Sequence, residues 1–441
     1  MNKTLFIPVI TFFICTVSYS QVRDYWPTEG WQTRSPAEAG MNTALVNEME
    51  QTILTSMDYI DAFLIAKDGY LVYEKYFSNQ YGKDDYHILC SATKSITSIL
   101  IGILLKQHYI DSLGQTFMDY FPEYGMLNDD PRISQLTIRH LLSFTTGLYN
   151  DDDNAASRKP DQIEFYLSQK FVADPGTLFR YATPASQVLS AIITKTTGKN
   201  AREFGSEVLF PKLGISDFYW PADQQGYTYG GFNSFFCPRD MLKFGFLYLN
   251  HGLWDGDTIV DPSYVLTCTT VHSEGGSPHG EKYGYNWWIT ENNGYHAFFA
   301  GGYGGQFIYV IPDLDLVVAI TCNTSEHRED ARFLINSHVV PAIQNSSVAR
   351  SSIHKEGSGL IVYPNPSTGE MNIGIETAGH EPVSLYITDL TGRKCYTIID
   401  KNTLSPGSHT YILSVGLPSG CYLIKGKAGA REYNKKLILS D

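Results

Sequence analysis

The chain has 441 residues, enough for two or three domains with cores of their own. Hydrophobic residues at 43% and aromatics at 13% describe a folded protein, not a disordered one. A formal net charge of −13, with no block of Lys and Arg, argues against nucleic acid or anionic membrane as partners, because both are held by clustered cations.

Residues 1–20 carry Lys3, an apolar stretch from Leu5 to Val17, and small Ser18 and Ser20 around Tyr19. This is the pattern of a secretory signal peptide cut before Gln21. The apolar run is shorter than the ~20 residues of a membrane span, so no integral membrane segment is expected after cleavage. Cys15 lacks the preceding small residues of a lipid attachment site. Export would permit disulfides among Cys90, Cys237, Cys268, Cys322, Cys395 and Cys421, but their spacing does not select a pairing. None has metal-ligand spacing, so neither a metal nor a cofactor is expected.

Ala62 to Ile65 and Tyr70 to Tyr76 flank Lys67-Asp68-Gly69, a hairpin signature. An extended run, Tyr86 to Cys90, then enters a helix whose apolar residues Ile96, Ile99, Leu100, Ile103 and Leu104 predict one buried stripe. Ser91 and Lys94 stand three apart at its start and so share a helix face. A lysine beneath an apolar helix can take the proton of a neighbouring serine, and the unpaired N–H groups of the helix start favour negative charge beside it. Cys90, beside Ser91, reads as a small buried hydrophobe at a strand end.

From Leu104 to Pro221 the pattern is mostly helical, interrupted by the acidic run Asn150 to Asn154, which reads as a solvated loop. Residues 226–345 alternate turns with short β-rich runs, namely Tyr283 to Trp288, Gln306 to Ile311 and Leu316 to Thr321, with a tight turn at Asp255-Gly256. Asn345 to Gly359 loses apolar rhythm and reads as a linker. Beyond it, Tyr363-Pro364-Asn365-Pro366, several β-rich segments and a Thr391-Gly392 turn predict a small β-sandwich. From Lys355 onward there are 9 basic and 8 acidic residues, so the acidity belongs to the earlier part of the chain.

Ser91-Ala92-Thr93-Lys94-Ser95, Leu136-Thr137-Ile138-Arg139-His140-Leu141-Leu142, Pro175-Gly176 to Tyr181, and Arg239-Asp240-Met241-Leu242-Lys243-Phe244-Gly245 fall in an order that resembles the serine β-lactamase-related family. That family holds class C lactamases, penicillin-binding proteins, related esterases, D-aminopeptidases and nylon-oligomer hydrolases. The resemblance covers roughly residues 45–340. It implies a β-lactamase/transpeptidase-like α/β (α+β) fold, an antiparallel sheet flanked by helices plus a helical subdomain. It also implies Ser91 as nucleophile, with Lys94 and Tyr181 handling the proton. Ala300-Gly301-Gly302-Tyr303-Gly304-Gly305-Gln306 resembles the family's cleft-edge strand, which implies an oxyanion hole from the N–H groups of Ser91 and Ala300.

Thr183, His296, Gly301 and Gly302 are further cleft candidates. Thr183 departs from the asparagine common in the family after the tyrosine. The Lys-Thr-Gly triplet that holds a lactam carboxylate is missing, with Ala297 standing at its lysine when counted back from Pro312. The tail resembles the C-terminal sorting domain of type IX secretion in Bacteroidetes-type bacteria.

The expected organisation is a signal peptide (1–20), a hydrolase domain (21–345), a linker (346–358) and a sorting domain (359–441). The expected protein is secreted or at the cell surface, meets the secretion machinery through its tail, and cleaves small esters, amides or short peptides through a Ser91 acyl-enzyme. Alternatives are β-lactamase or D-aminopeptidase/carboxypeptidase activity, or a catalytically silent binding or adhesion protein.

Overall fold

The computed structural model of the chain describes residues 23–150, 156–323, 330–346, 360–363, 370–377, 379–389, 392–405, 407–429 and 431–439. The expected signal peptide, most of the acidic run and nearly all of the expected linker lie outside the described residues. The chain divides into two compact units, Met1–Ala349 and Arg350–Asp441.

In the first unit α1 (Thr43–Ser56), capped by the Asn42 side chain accepting from the Ala44 N–H, leads to β1 (Ile60–Lys67) and β2 (Tyr70–Tyr76). Asp68 and Gly69 both take positive φ, as a two-residue hairpin turn requires. The next strand, β3 (His87–Ile88), is shorter than the sequence suggests. Cys90 does not end a strand. It lies in left-handed backbone, φ 47°, at the start of a 3-10 turn, Cys90–Ala92, which breaks the extended run and precedes α2 (Thr93–Lys106).

The apolar spacing of α2 predicts one buried stripe, yet every residue from Thr93 to Leu104 is buried. Its hydroxyls are inside because loop carbonyls meet them. Ser95 Oγ donates to Asn286 O (2.6 Å), Thr97 Oγ1 to Gly230 O (2.7 Å) and Ser98 Oγ to Tyr285 O (2.8 Å). A polar helix face can therefore be a core face.

The helical subdomain comprises α3 (Ile138–Leu142), α4 (Gln162–Leu167), α5 (Thr183–Thr197) and α6 (Ala201–Val208). Pro184 occupies the first turn of α5 and Gly198, at φ 74°, closes it. Then come β4 (Phe235–Phe236), which pairs with β3, and α7 (Pro238–Leu249). The hairpin of β5 (Leu253–Trp254) and β6 (Asp257–Thr258) turns at Asp255-Gly256, ahead of α8 (Pro262–Cys268).

Five further strands and β12 complete the main sheet: β7 (Ser273–Gly276), β8 (Glu281–Tyr283), β9 (Trp288–Asn292), β10 (Tyr295–Gly302), β11 (Gln306–Ile311) and β12 (Leu316–Cys322). The order is β2-β1-β12-β11-β10-β9-β8-β7, antiparallel throughout. The run Tyr283 to Trp288 is not one strand, because Asn286 at φ 58° turns the chain between β8 and β9. A π-helical turn, Ile335–Val339, runs into α9 (Val340–Ser346). Strands β1, β11 and β12 are buried along almost their whole length, so both faces of the sheet centre are covered; α7 packs on these three.

The second unit holds β13 (Leu360–Tyr363), β14 (Glu370–Thr377), β15 (Glu381–Thr388), β16 (Lys394–Leu404), β17 (Gly407–Ser414), β18 (Gly420–Ala428) and β19 (Arg431–Leu439). They form a three-stranded sheet, β13-β14-β17, and a four-stranded sheet, β16-β15-β18-β19. Alternate residues Met371, Ile373 and Ile375 and Val383, Leu385 and Ile387 supply one shared core, the construction of a β-sandwich.

Candidate active site

The 3-10 turn before α2 carries Ser91 to the wall of a cleft of about 910 Å³. One helical turn further on, Lys94 is 1% exposed, and its Nζ lies within hydrogen-bond distance of Ser91, Thr183 and Gly231. Ser91 Oγ is 3.0 Å away, Thr183 Oγ1 2.9 Å and the Gly231 carbonyl 2.7 Å. The carbonyl can only accept, so one Lys94 N–H is committed to it. Both hydroxyls can donate or accept. The same geometry therefore holds an ammonium that donates to Ser91 and a neutral amine that accepts the Ser91 proton. That is what a proton-transferring pair needs.

Tyr181 lies just before α5, and its ring is fixed from several sides. The Lys94 Nζ is 4.9 Å from the ring centroid, Trp288 stacks at 5.9 Å and 16°, and Phe144 meets it edge-on at 5.1 Å. Its carbonyl accepts from Asn150 Nδ2 at 2.9 Å. The structure thus brings Ser91, Lys94, Tyr181 and Thr183 together. Thr183, the departure from the family pattern, keeps a hydrogen-bond acceptor on Lys94.

The cleft-edge strand is β10, and Gly301 and Gly302 line the cleft with the turn residues Tyr303, Gly304 and Gly305. A side chain at Gly302 would meet the Leu89 carbonyl at 2.2 Å, so glycine lets the strand end pack on the turn that carries Ser91.

Ala300 does not fit the role expected of it. The β9–β10 hairpin turns through Asn293 and Gly294, both at positive φ, so Asn292 and Tyr295 form its hydrogen-bonded closing pair. Counting in twos, Ala297, Phe299 and Gly301 direct their N–H groups towards β9, while His296, Phe298 and Ala300 direct theirs towards β11. Pairing with β9 ends at Phe299. The Gly301 N–H therefore faces the open edge, and Tyr303 is the next residue of that parity. Ala300 turns into the sheet opposite Ile308.

Two more expectations change. Ala297 is fully buried opposite Thr290, short of the cleft, so the comparison with the family's lysine triplet moves to Ala300-Gly301-Gly302, where again no lysine stands. His296 is exposed opposite Glu291 and does not line the cleft.

Several contributors escape a local reading. Asn150 holds the Tyr181 backbone, Gly231 accepts from Lys94, Trp288 stacks on Tyr181, and His279 lines the cleft. Among the described lining residues the cation is Arg180, whose guanidinium lies over the Tyr149 ring and donates to Asn150 O, and the carboxylate is Asp330. Against the burial that would raise it, the Arg332 guanidinium holds Asp330 below the usual carboxylate range. Burial pushes the Cys90 thiol up to about 11 in spite of Lys94, so it is a poor nucleophile beside Ser91. Among the described residues no cluster of His, Cys, Asp and Glu could hold a metal ion.

A helix-and-sheet fold with a buried lysine on a cleft serine defines the class, and the comparisons place the chain in it. The β-lactamase family profile matches residues 56–338, and the chain belongs to that family. The secretion system C-terminal sorting domain matches residues 361–440, so the chain is an exported protein of the cell surface or the medium. The chain is 27% identical over 290 residues to the 6-aminohexanoate-dimer hydrolase of Paenarthrobacter ureafaciens, covering 58% of this chain and 71% of that one.

Among solved structures it is similar to an octameric penicillin-binding protein homologue from Pyrococcus abyssi, at TM-score 0.55 and 17% identity, over 90% of this chain and 96% of that one. A family VIII carboxylesterase superposes at TM-score 0.55 and 16% identity, over 68% and 97%. At these identities the likeness speaks for the fold. Among the described residues no helix is long and apolar enough to cross a membrane.

Proposed function

We propose that the chain is an exported serine hydrolase that cleaves ester or amide bonds of small substrates through an acyl-enzyme on Ser91. The observation that carries this reading is Lys94 held within 3.0 Å of Ser91 Oγ by Thr183 and Gly231, with Tyr181 clamped beside it. Ser91 Oγ attacks the carbonyl carbon and its proton passes to Lys94 or Tyr181. The N–H groups of Ser91 and of Gly301 or Tyr303 take the developing oxyanion, each such donor being worth ~10²–10³ in rate. Collapse of the tetrahedral adduct breaks the bond to the leaving group, which receives that proton. Water then releases the acid by the same route in reverse.

A hydrolase named for an amide dimer at 27% identity supports the amide side, and a carboxylesterase of the same fold is compatible with the ester side. The cations that could stand in for the missing lysine are engaged elsewhere: Arg180 lines the cleft, but its guanidinium lies over the Tyr149 ring and donates to Asn150 O. Arg239 forms a two-point pair with Glu74, Lys282 pairs with Glu274, and neither lines the cleft. A charge-assisted grip on a carboxylate is worth ~1.5–3 kcal/mol. A short-chain p-nitrophenyl ester should therefore have a higher specificity constant than a chromogenic cephalosporin, and Ser91→Ala should abolish labelling by a fluorophosphonate probe. Labelling that survives the substitution would mean another nucleophile; a cephalosporin preference would favour the lactamase reading.

A further inference from the structure

His279 stands in the loop between β7 and β8, away in sequence from the Ser91, Tyr181 and β10 segments, and lines the same cleft as Ser91 and Tyr181. Three aromatic rings clamp it. Its ring centroid lies 5.0 Å from Trp288 at 85°, 5.4 Å from Phe299 at 80° and 5.7 Å from Phe307. The ring lies over the cleft edge of β10, because a side chain at Gly301 would come within 2.5 Å of His279 Nε2. Burial, helped by Arg332 and opposed by Asp330, pushes the imidazole down to about 4, so it is neutral over the working range of pH.

Among the described residues neither ring nitrogen has a hydrogen-bond or ion-pair partner. The imidazole is thus a rigid, uncharged group with one donor and one acceptor nitrogen, beside the strand edge where the scissile carbonyl would bind. Its charged neighbours are already matched, as Arg332 donates to Asp330 and lies over Phe299 and Phe307.

We infer that His279 is a specificity-determining residue that hydrogen-bonds an uncharged amide in the acyl part of the substrate, so that the preferred substrates are N-acylamino esters or amides and not simple alkanoyl ones. The inference rests on the hydrolase reading above. A planar amide carries both an N–H and a carbonyl oxygen, so it can pair with whichever ring nitrogen it meets, donor or acceptor. An alkyl chain of the same length would cover the imidazole and leave its polar nitrogens dry and unpaired, the arrangement by which a polar site rejects an apolar analogue.

The test compares the p-nitrophenyl esters of N-acetylglycine and pentanoic acid, acyl groups of the same length, on the full chain, His279→Phe and His279→Gln. The ratio of specificity constants is followed from protein to protein, so that the intrinsic reactivities of the esters cancel. His279→Phe, which refills the aromatic box, should lower the ratio in favour of N-acetylglycine at least tenfold, mainly through KM. His279→Gln, which restores a donor and an acceptor, should recover part of it. Equal losses on both esters, no change in the ratio, or a loss that glutamine leaves unrestored would overturn the inference. Failure of the unaltered chain to show Ser91-dependent turnover of either ester would instead bring down the hydrolase reading, and this inference with it.

Discussion

Trp288 stacks on Tyr181 with ring centroids 5.9 Å apart and planes 16° from parallel, while the Lys94 Nζ lies 4.9 Å from the centroid of the same Tyr181 ring. Trp288 opens β9 and pairs across the sheet with Phe299, two residues from the Gly301 edge. It therefore ties the proposed proton carrier to the strand that would bind the oxyanion. Trp288→Leu should lower kcat roughly tenfold with little change in KM, since a lost ring stack is worth ~0.5–1.5 kcal/mol. Trp288→Phe should restore part of the loss. Steady-state kinetics on an ester check this, and a rise in KM alone would mean that Trp288 touches substrate instead.

Thr183 and Lys94 supply the second prediction. Thr183→Val keeps the shape of the α5 start but takes away an acceptor 2.9 Å from a buried amine, which costs roughly 1–3 kcal/mol and disturbs the proton on Ser91. A ten- to hundredfold fall in kcat is expected. Thr183→Asn, which brings in the residue common in the family, should retain most of the activity because its side-chain carbonyl accepts. Single-turnover acylation rates of the two variants decide the matter; a fully active Thr183→Val would reduce this contact to packing.

His87, on the strand that leads to the turn carrying Ser91, is 4% exposed, sits 4.1 Å from the Tyr81 ring and has Asp61 at 3.7 Å. Burial pushes its imidazole down to about 4 from 6.5. The unfolded chain then takes up the proton first as pH falls. The stability His87 contributes is fully present above 6.5 and is lost between 6.5 and 4, with about 2 kcal/mol gone by pH 5. His87→Asn should therefore show a smaller drop in unfolding free energy between pH 7 and pH 5 than the unaltered chain. Some slope should remain because His279 is shifted the same way. Denaturant titrations at the two pH values measure it, and identical slopes would contradict the assignment.

The sorting domain has its own core and forms a compact unit separate from the one that holds the cleft. Deleting residues 359–441 should leave the purified enzyme's ester hydrolysis within about twofold while stopping its arrival at the cell surface. Fractionation of expressing cells together with an activity assay checks both halves. Loss of turnover in the truncated enzyme would show that the tail supports the cleft.

Local spacing determined much of this protein. Ser91 and Lys94 meet because three residues along a helix start return to one face, and Asp68-Gly69 turns because those residues tolerate positive φ. The loss of apolar rhythm near residue 350 is likewise a local signal. What the sequence left undetermined depends on contacts between distant segments. Thr183 and Gly231 reach Lys94 from 89 and 137 residues away, and no periodicity in either segment announces the meeting. His279 comes to the cleft through a loop. The family resemblance implied Ala300 as an oxyanion donor, but a shift of one residue along a strand reverses the direction of every N–H. Only the pairing of β10 with β9 and β11 decides which backbone groups face the cleft.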